Sequence, residues 1–251
     1  MQKLLLLLLF VSTQSFATKY IHVVVALCDN KNQGIVPVPE KIGNGQDPAN
    51  NLYWGCGYGV KTFFKKQTDW KCIKTYKNPS VKILERLVFK HRDSAIYMIA
   101  DAYDGKEIKQ STLDFFAFAS GKNKFDIKVD SLTTVKAGGN ADLVCYVGHD
   151  GLMDFTIDTQ FPPADKKVRQ TIALACYSKN FFAQHLKATG AQPLVWSTHL
   201  MSPEAYTLDA SIDSWILKEA AAVTREKAAQ AYNQYQKCGI KGARNLLITG
   251  W

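Results

Sequence analysis

The sequence predicts an α/β fold: three layers, with a mostly parallel central sheet carrying helices on both faces. Two observations predict it. Five short apolar runs, at 20–27, 95–100, 143–147, 171–175 and 193–197, are rich in Val, Ile, Leu or aromatic residues and lack clean period-two alternation. That is the pattern of strands covered on both sides. Stretches with helical character lie between them, and alternating strand and helix implies parallel strands joined by right-handed crossovers.

The chain opens with Lys3 and an apolar run over 4–10, and Ser15-Phe16-Ala17 then places small residues at −3 and −1 of a cleavage site. A basic start, a short apolar segment and a small-x-small site predict a secretory leader over 1–17, removed after Ala17. The apolar run is shorter than the ~20 residues that a membrane-spanning helix takes. No later segment is apolar for long enough to cross a bilayer. The expected product is a secreted or periplasmic chain, 18–251, forming one domain.

Within that domain the first strand leads into 34–51, which holds Pro37, Pro39, Gly43, Gly45 and Pro48. The segment predicts a long ordered loop, 34–58, packed down by Tyr53 and Trp54. Loops of this length in a compact domain often carry function. A helix is predicted over 52–66, ahead of a basic loop, and another over 81–89, where apolar residues recur at i, i+3 and i+6. A third helix, 108–119, sets Leu113, Phe115 and Phe116 to one side. Gly138-Gly139-Asn140 reads as a turn before the strand at 143–147, and 180–187 as a helix after the strand at 171–175. Ser202-Pro203-Glu204 is a helix-start signal, with an N-cap residue, Pro at the first position and an acid in the first turn. A long C-terminal helix is predicted over 211–237, with Trp215, Ile216, Ala220, Val223 and Ala228 as its core face. Gly239 falls where a terminating glycine belongs, and 243–248 is predicted as a last strand.

Composition excludes some function classes. The net charge of +9 comes from lysines scattered along the chain, which reads as a solvated basic surface and not as a nucleic-acid stripe. No RNA-binding or zinc-finger motif accompanies it. The chain has six cysteines, too few for a cysteine-dense scaffold, and no C-x-x-C. Cys56 and Cys72 are the best local pair for a disulfide, closing a loop of about 16 residues worth roughly 3 kcal/mol in the chain-entropy model.

Ligands in open α/β sheets gather at the carboxyl ends of the strands, and two predicted ends carry chemistry. One strand runs out as Tyr146-Val147-Gly148-His149-Asp150-Gly151, the next as Leu174-Ala175-Cys176-Tyr177-Ser178. If the strands are parallel neighbours, His149 and Cys176 emerge at one edge. A thiol needs a base or a positive field to become a thiolate near neutral pH, and a histidine can then protonate a leaving amine. The two residue types make a nucleophile with its acid/base partner.

These two segments, in this order, resemble the caspase–legumain–gingipain group of cysteine peptidases, in which one apolar strand ends in His-Gly and a following one in Cys. A further similarity lies in Val195-Trp196-Ser197-Thr198-His199 followed by Ser202-Pro203-Glu204-Ala205-Tyr206. The resemblance implies a caspase-like fold, peptide-bond hydrolysis by His149 and Cys176, and an oxyanion held by the backbone N–H groups of Gly151 and Cys176. It also implies substrate contacts from Ser197 and Glu204, no cofactor, and a peptide or protein substrate. Asp150 stands where the group has glycine.

Other readings compete. A strand-end cysteine can be plain core, and His-Asp-Gly can be a plain turn. His199 is a rival base. His149, Asp150, Asp154, Cys176 and His199 could in principle supply metal ligands, but their spacing fits no zinc motif. Neither Gly-x-Ser-x-Gly nor a phosphate- or dinucleotide-binding glycine loop occurs. The rival from another class is a non-catalytic envelope binding protein that uses the 34–58 loop.

Overall fold

The computed structural model describes residues 17–251. The expected leader therefore lies, apart from Ala17, outside the described residues. The chain forms strands β1 (Lys19–Ala26), β2 (Trp70–Lys77), β3 (Ile83–His91), β4 (Ile96–Tyr103), β5 (Lys124–Lys128), β6 (Thr134–Gly138), β7 (Leu143–Val147), β8 (Gln170–Leu174), β9 (Gln192–Ser197) and β10 (Leu247–Ile248). The helices are α1 (Val60–Lys66), α2 (Ile108–Ala119), α3 (Ser178–Thr189), α4 (Ala205–Ile216), α5 (Ala221–Gln236) and α6 (Ile240–Leu246).

Eight strands make the main sheet, in the order β10-β9-β8-β7-β1-β4-β3-β2. Strands β4, β1, β7, β8 and β9 are mutually parallel, whereas β10, β3 and β2 join antiparallel at the two edges. The five apolar runs are the five parallel strands. Their inward positions alternate between two cores. Ile21, Val23, Val25, Cys145 and Ile172 pack with α1, α4, α5 and α6. Val24, Val144, Tyr146, Ala173 and Trp196 pack with α2 and α3. Burial on both faces is what removes the period-two signal. The expected three-layer α/β class therefore holds. A third, smaller core sits under the β5–β6 hairpin, where Ile127, Val135 and Ala137 cover Val88 and Ile99.

Several local expectations are corrected. The helix expected over 81–89 is strand β3, paired with β2 on one side and β4 on the other. Its run Ile-Leu-Glu-Arg-Leu-Val-Phe favours a pleated surface, and the pairing of Leu87 with Ala100 and of Val88 with Ile99 gives it two faces to fill. The basic loop before it is β2. The helix expected from 52 begins only at Val60, because Gly55, Gly57 and Gly59 break the segment. A Cβ on Gly59 would lie 2.5 Å from the Trp54 backbone. Tyr53 and Trp54 do anchor the loop: Trp54 is fully buried, and its Nε1–H donates to Glu85 at 2.6 Å.

The expected C-terminal helix is two helices, α4 and α5, packed against each other. Lys218 at φ 54° ends the first, and the turn lets both bury a face. Trp215 and Ala228 are core, whereas Val223 is exposed. Helix α4 starts at Ala205, with Glu204 and not Ser202 in the cap position. Gly239 precedes α6, which occupies most of the expected last strand; only Leu247 and Ile248 pair with β9.

Among the described residues no helix is long and apolar enough to cross a membrane. All six cysteines are free, so the Cys56–Cys72 bridge does not form. Cys72 lies on β2 with its thiol against Lys74 O at 3.6 Å, and Cys56 instead donates to Asn50 O at 3.1 Å.

Candidate functional site

Read along the sheet, the parallel strands run second-first-third-fourth-fifth in chain order. From β1 the chain reaches β4 on one side, and after β4 it crosses back to β7 on the other side of β1. That reversal opens a crevice at the carboxyl ends of β1 and β7, where doubly wound sheets bind ligands. A cavity of about 610 Å³ lies there, walled by segments following β1, β7, β8 and β9 and by Gln236 at the end of α5. Both His149 and Cys176 line it.

Each reaches the cavity through a constrained turn. After β7, Gly148 takes φ 149°, and a Cβ there would sit 2.7 Å from Ala26 O. Only glycine lets the chain pass so close to the end of β1. The next residue, His149, is 5% exposed, and its carbonyl accepts from the Tyr146 hydroxyl at 2.8 Å. Its ring Nε2 meets the Asp154 carboxylate at 2.8 Å, and the same carboxylate oxygen accepts from Gly34 N–H at 2.9 Å. One acid therefore holds the imidazole and ties the long loop to the segment that follows β7.

After β8, Cys176 stands just ahead of α3. Tyr177 caps that helix in the left-handed region at φ 50°, a conformation that costs a non-glycine residue about 1–3 kcal/mol and gathers at functional sites. A pair of serines pins the turn. Ser178 Oγ donates to Ala173 O at 2.8 Å, Ser197 N–H donates to Ser178 Oγ at 2.9 Å, and Ser197 Oγ donates to Ala175 O. The Cys176 thiol accepts from Met201 N–H at 3.4 Å. Burial raises its pKa; the Met201 N–H pulls it back, and Asp150 adds to the rise.

The structure separates the expected site residues. His149, Cys176 and Glu204 share the cavity. Ser197 does not line it: it is fully buried, and its hydroxyl is used beneath the turn that carries Cys176. Gly151 is also absent from the walls. It opens a 3₁₀ turn, Gly151–Met153, and is packed where a Cβ would meet Phe155 at 2.6 Å and Ile108 at 3.2 Å. Asp150 directs this, because its Oδ1 accepts from Leu152 N–H at 3.0 Å and caps the turn. The second oxygen, Oδ2, is buried with no hydrogen-bond partner among the described residues. Burial, reinforced by Asp154 and opposed by the Leu152 N–H, pushes the Asp150 carboxyl up to about 7.

His199 is exposed, bonds Thr198 through Nδ1 at 2.7 Å and lies outside the cavity. Among the described residues no group of three His, Cys, Asp or Glu side chains is placed to hold a metal ion. His22 is structural. It bridges Gly138 N–H and the buried Asp101, which Arg86 also grips. Cys145 is fully buried, and burial takes its pKa well up.

Asp154 is the residue that sequence reasoning placed only among conceivable metal ligands. Its role depends on the 3₁₀ turn that brings position 154 back over 149, and no spacing rule announces that turn. The cavity thus brings a thiol and an imidazole to one opening, with the carboxylate that holds the imidazole behind its wall residues. Compared with known proteins, the chain matches no family model, no curated protein and no solved structure.

Proposed function

We propose that this chain is an exported cysteine peptidase of caspase- or legumain-like type. The observation that carries the reading is that His149 and Cys176, from the ends of adjacent parallel strands, line one cavity while Asp154 holds the imidazole. With Nε2 on Asp154, the other ring nitrogen takes the Cys176 proton. The thiolate sulfur attacks the peptide carbonyl carbon, and the charge on the carbonyl oxygen faces the Cys176 N–H at the start of α3, where the helix dipole favours an anion. When the C–N bond breaks, the imidazolium gives its proton to the leaving amine. Water, deprotonated by the same imidazole, then hydrolyses the thioester and regenerates the thiol. Gly151, packed against Phe155, takes no part in this reading, so the oxyanion rests on fewer donors.

A second reading has its own observation. Burial and Asp150 both favour the neutral Cys176 thiol, and the loop after β1 supplies Gly34, Ile35, Val36, Val38, Leu52 and Tyr53 to the cavity wall. A binding protein that holds a ligand under this loop needs no thiolate.

Alkylation decides between them. Iodoacetamide labelling followed by peptide mass mapping should modify Cys176 faster than a simple half-buried thiol, and His149→Ala should slow that labelling. Slow labelling unchanged by His149→Ala supports the binding reading.

A further inference from the structure

The cavity beside Cys176 contains one acidic side chain, Glu204, and no lysine or arginine. Glu204 Oε2 accepts from the Tyr206 hydroxyl at 2.8 Å and from Gln236 Nε2 at 3.1 Å, both neutral donors. Among the described residues its other oxygen, Oε1, has no hydrogen-bond partner, and no cation pairs with the carboxylate. Ile35, Val38, Leu52 and Met201 give the remaining wall an aliphatic character. A half-buried carboxylate in apolar surroundings lacks the counter-charge that normally offsets its desolvation.

We infer that this cavity receives the side chain of a lysine or arginine, so that Glu204 selects substrates with a basic residue beside the bond that is cut. An aliphatic stem with a cationic tip fits such a wall at both ends: the methylenes lie along the apolar residues and the head reaches Oε1. The space, about 610 Å³, is ample for it, within the range of roughly 300–1,000 Å³ usual for ligand sites. An acidic substrate side chain would meet Glu204 with repulsion. A purely apolar one would leave the carboxylate uncompensated. The position of the cut rests on the peptidase reading; recognition of the cation does not.

The test has two arms. In the first, Cys176→Ala protein, which cannot turn over, is titrated calorimetrically with N-acetylargininamide and with its neutral isostere N-acetylcitrullinamide. The arginine compound should bind at least about tenfold tighter, as one charge-assisted hydrogen bond supplies. Adding Glu204→Gln, which keeps an acceptor for Tyr206, should abolish that preference. Adding Glu204→Asp instead, which keeps the charge, should retain part of it. Thermal unfolding checks that each variant is folded. Equal binding of the two compounds, or a preference that survives Glu204→Gln, overturns the inference. In the second arm, unmodified protein digests a mixed peptide library. Cuts clustered beside Lys and Arg support the inference, and cuts with no basic preference overturn it. Absence of any cut counts against the peptidase reading alone, with the binding arm still deciding the specificity of the cavity.

Discussion

His149 Nε2 and the Asp154 carboxylate lie 2.8 Å apart, and that same carboxylate oxygen receives the N–H of Gly34 from the long loop after β1. The contact fixes which ring nitrogen is occupied and, in the proposed peptidase chemistry, leaves the other for proton transfer. Asp154→Asn can still accept from Gly34 but no longer balances an imidazolium. Peptidase kcat should fall on the order of 10²-fold or more, within the range attributed to general acid–base catalysis, while KM changes little. An equal loss in KM instead would mean that Asp154 serves mainly to hold the loop.

Asp150 gives the site a pH dependence with a definite sign. Its carboxyl, facing Asp154, Tyr146 and Cys176, is raised to about 7 by burial. The folded protein therefore keeps this proton where the unfolded chain, near 3.8, has lost it. Stability from this group is fully present below about pH 4 and is lost as pH rises toward 7, by up to about 4 kcal/mol. Asp209, also raised to about 7, slopes the same way, so the comparison must be between wild type and Asp150→Asn. The variant should gain stability relative to wild type from pH 5 to 8, measured by urea unfolding. A parallel pH dependence in both proteins would refute the assignment.

The same substitution should act on Cys176. Above about pH 7, where Asp150 is ionised, removing its charge favours the thiolate and lowers the thiol pKa. Iodoacetamide labelling in that range, still below the thiol pKa, should quicken by about tenfold for each unit that pKa falls. A slower reaction would show that Asp150 supports the thiolate and does not oppose it.

Lys237 ends α5 in the left-handed region at φ 53° and is exposed. A side chain there costs about 1–2 kcal/mol that glycine avoids, less the extra backbone entropy glycine loses. Lys237→Gly should therefore stabilise the protein by about 0.5–1 kcal/mol, seen as a higher Tm. A lower Tm would show that the side chain contributes more than the conformation costs.

The parts of the fold legible in the sequence are those with strong, local signals. The run at 143–147 coincides with β7, and helix α2 occupies 108–119 as its aromatic face implies. Strand β3 was hidden because Val81, Leu84 and Leu87 also satisfy helical spacing, and only pairing with β2 and β4 decides between the two. The break at Lys218 was hidden because no glycine or proline marks it. The site follows the same division. His149 and Cys176 were legible from their places at strand ends, and Glu204 from the segment resembling the peptidase group. Asp154 and the burial of Ser197 and Gly151 were not, because they arise from a 3₁₀ turn and a serine pair that form only in the folded chain.

The most direct measurement is digestion of a mixed peptide library by the unmodified protein and by Cys176→Ala, with products sequenced by mass spectrometry. Losing one sulfur at a strand end is a modest packing change, so both proteins should be folded. The proposed chemistry predicts new peptide termini with the unmodified protein and none with Cys176→Ala. Equal cleavage by both, or no cleavage by a folded unmodified protein, would contradict it.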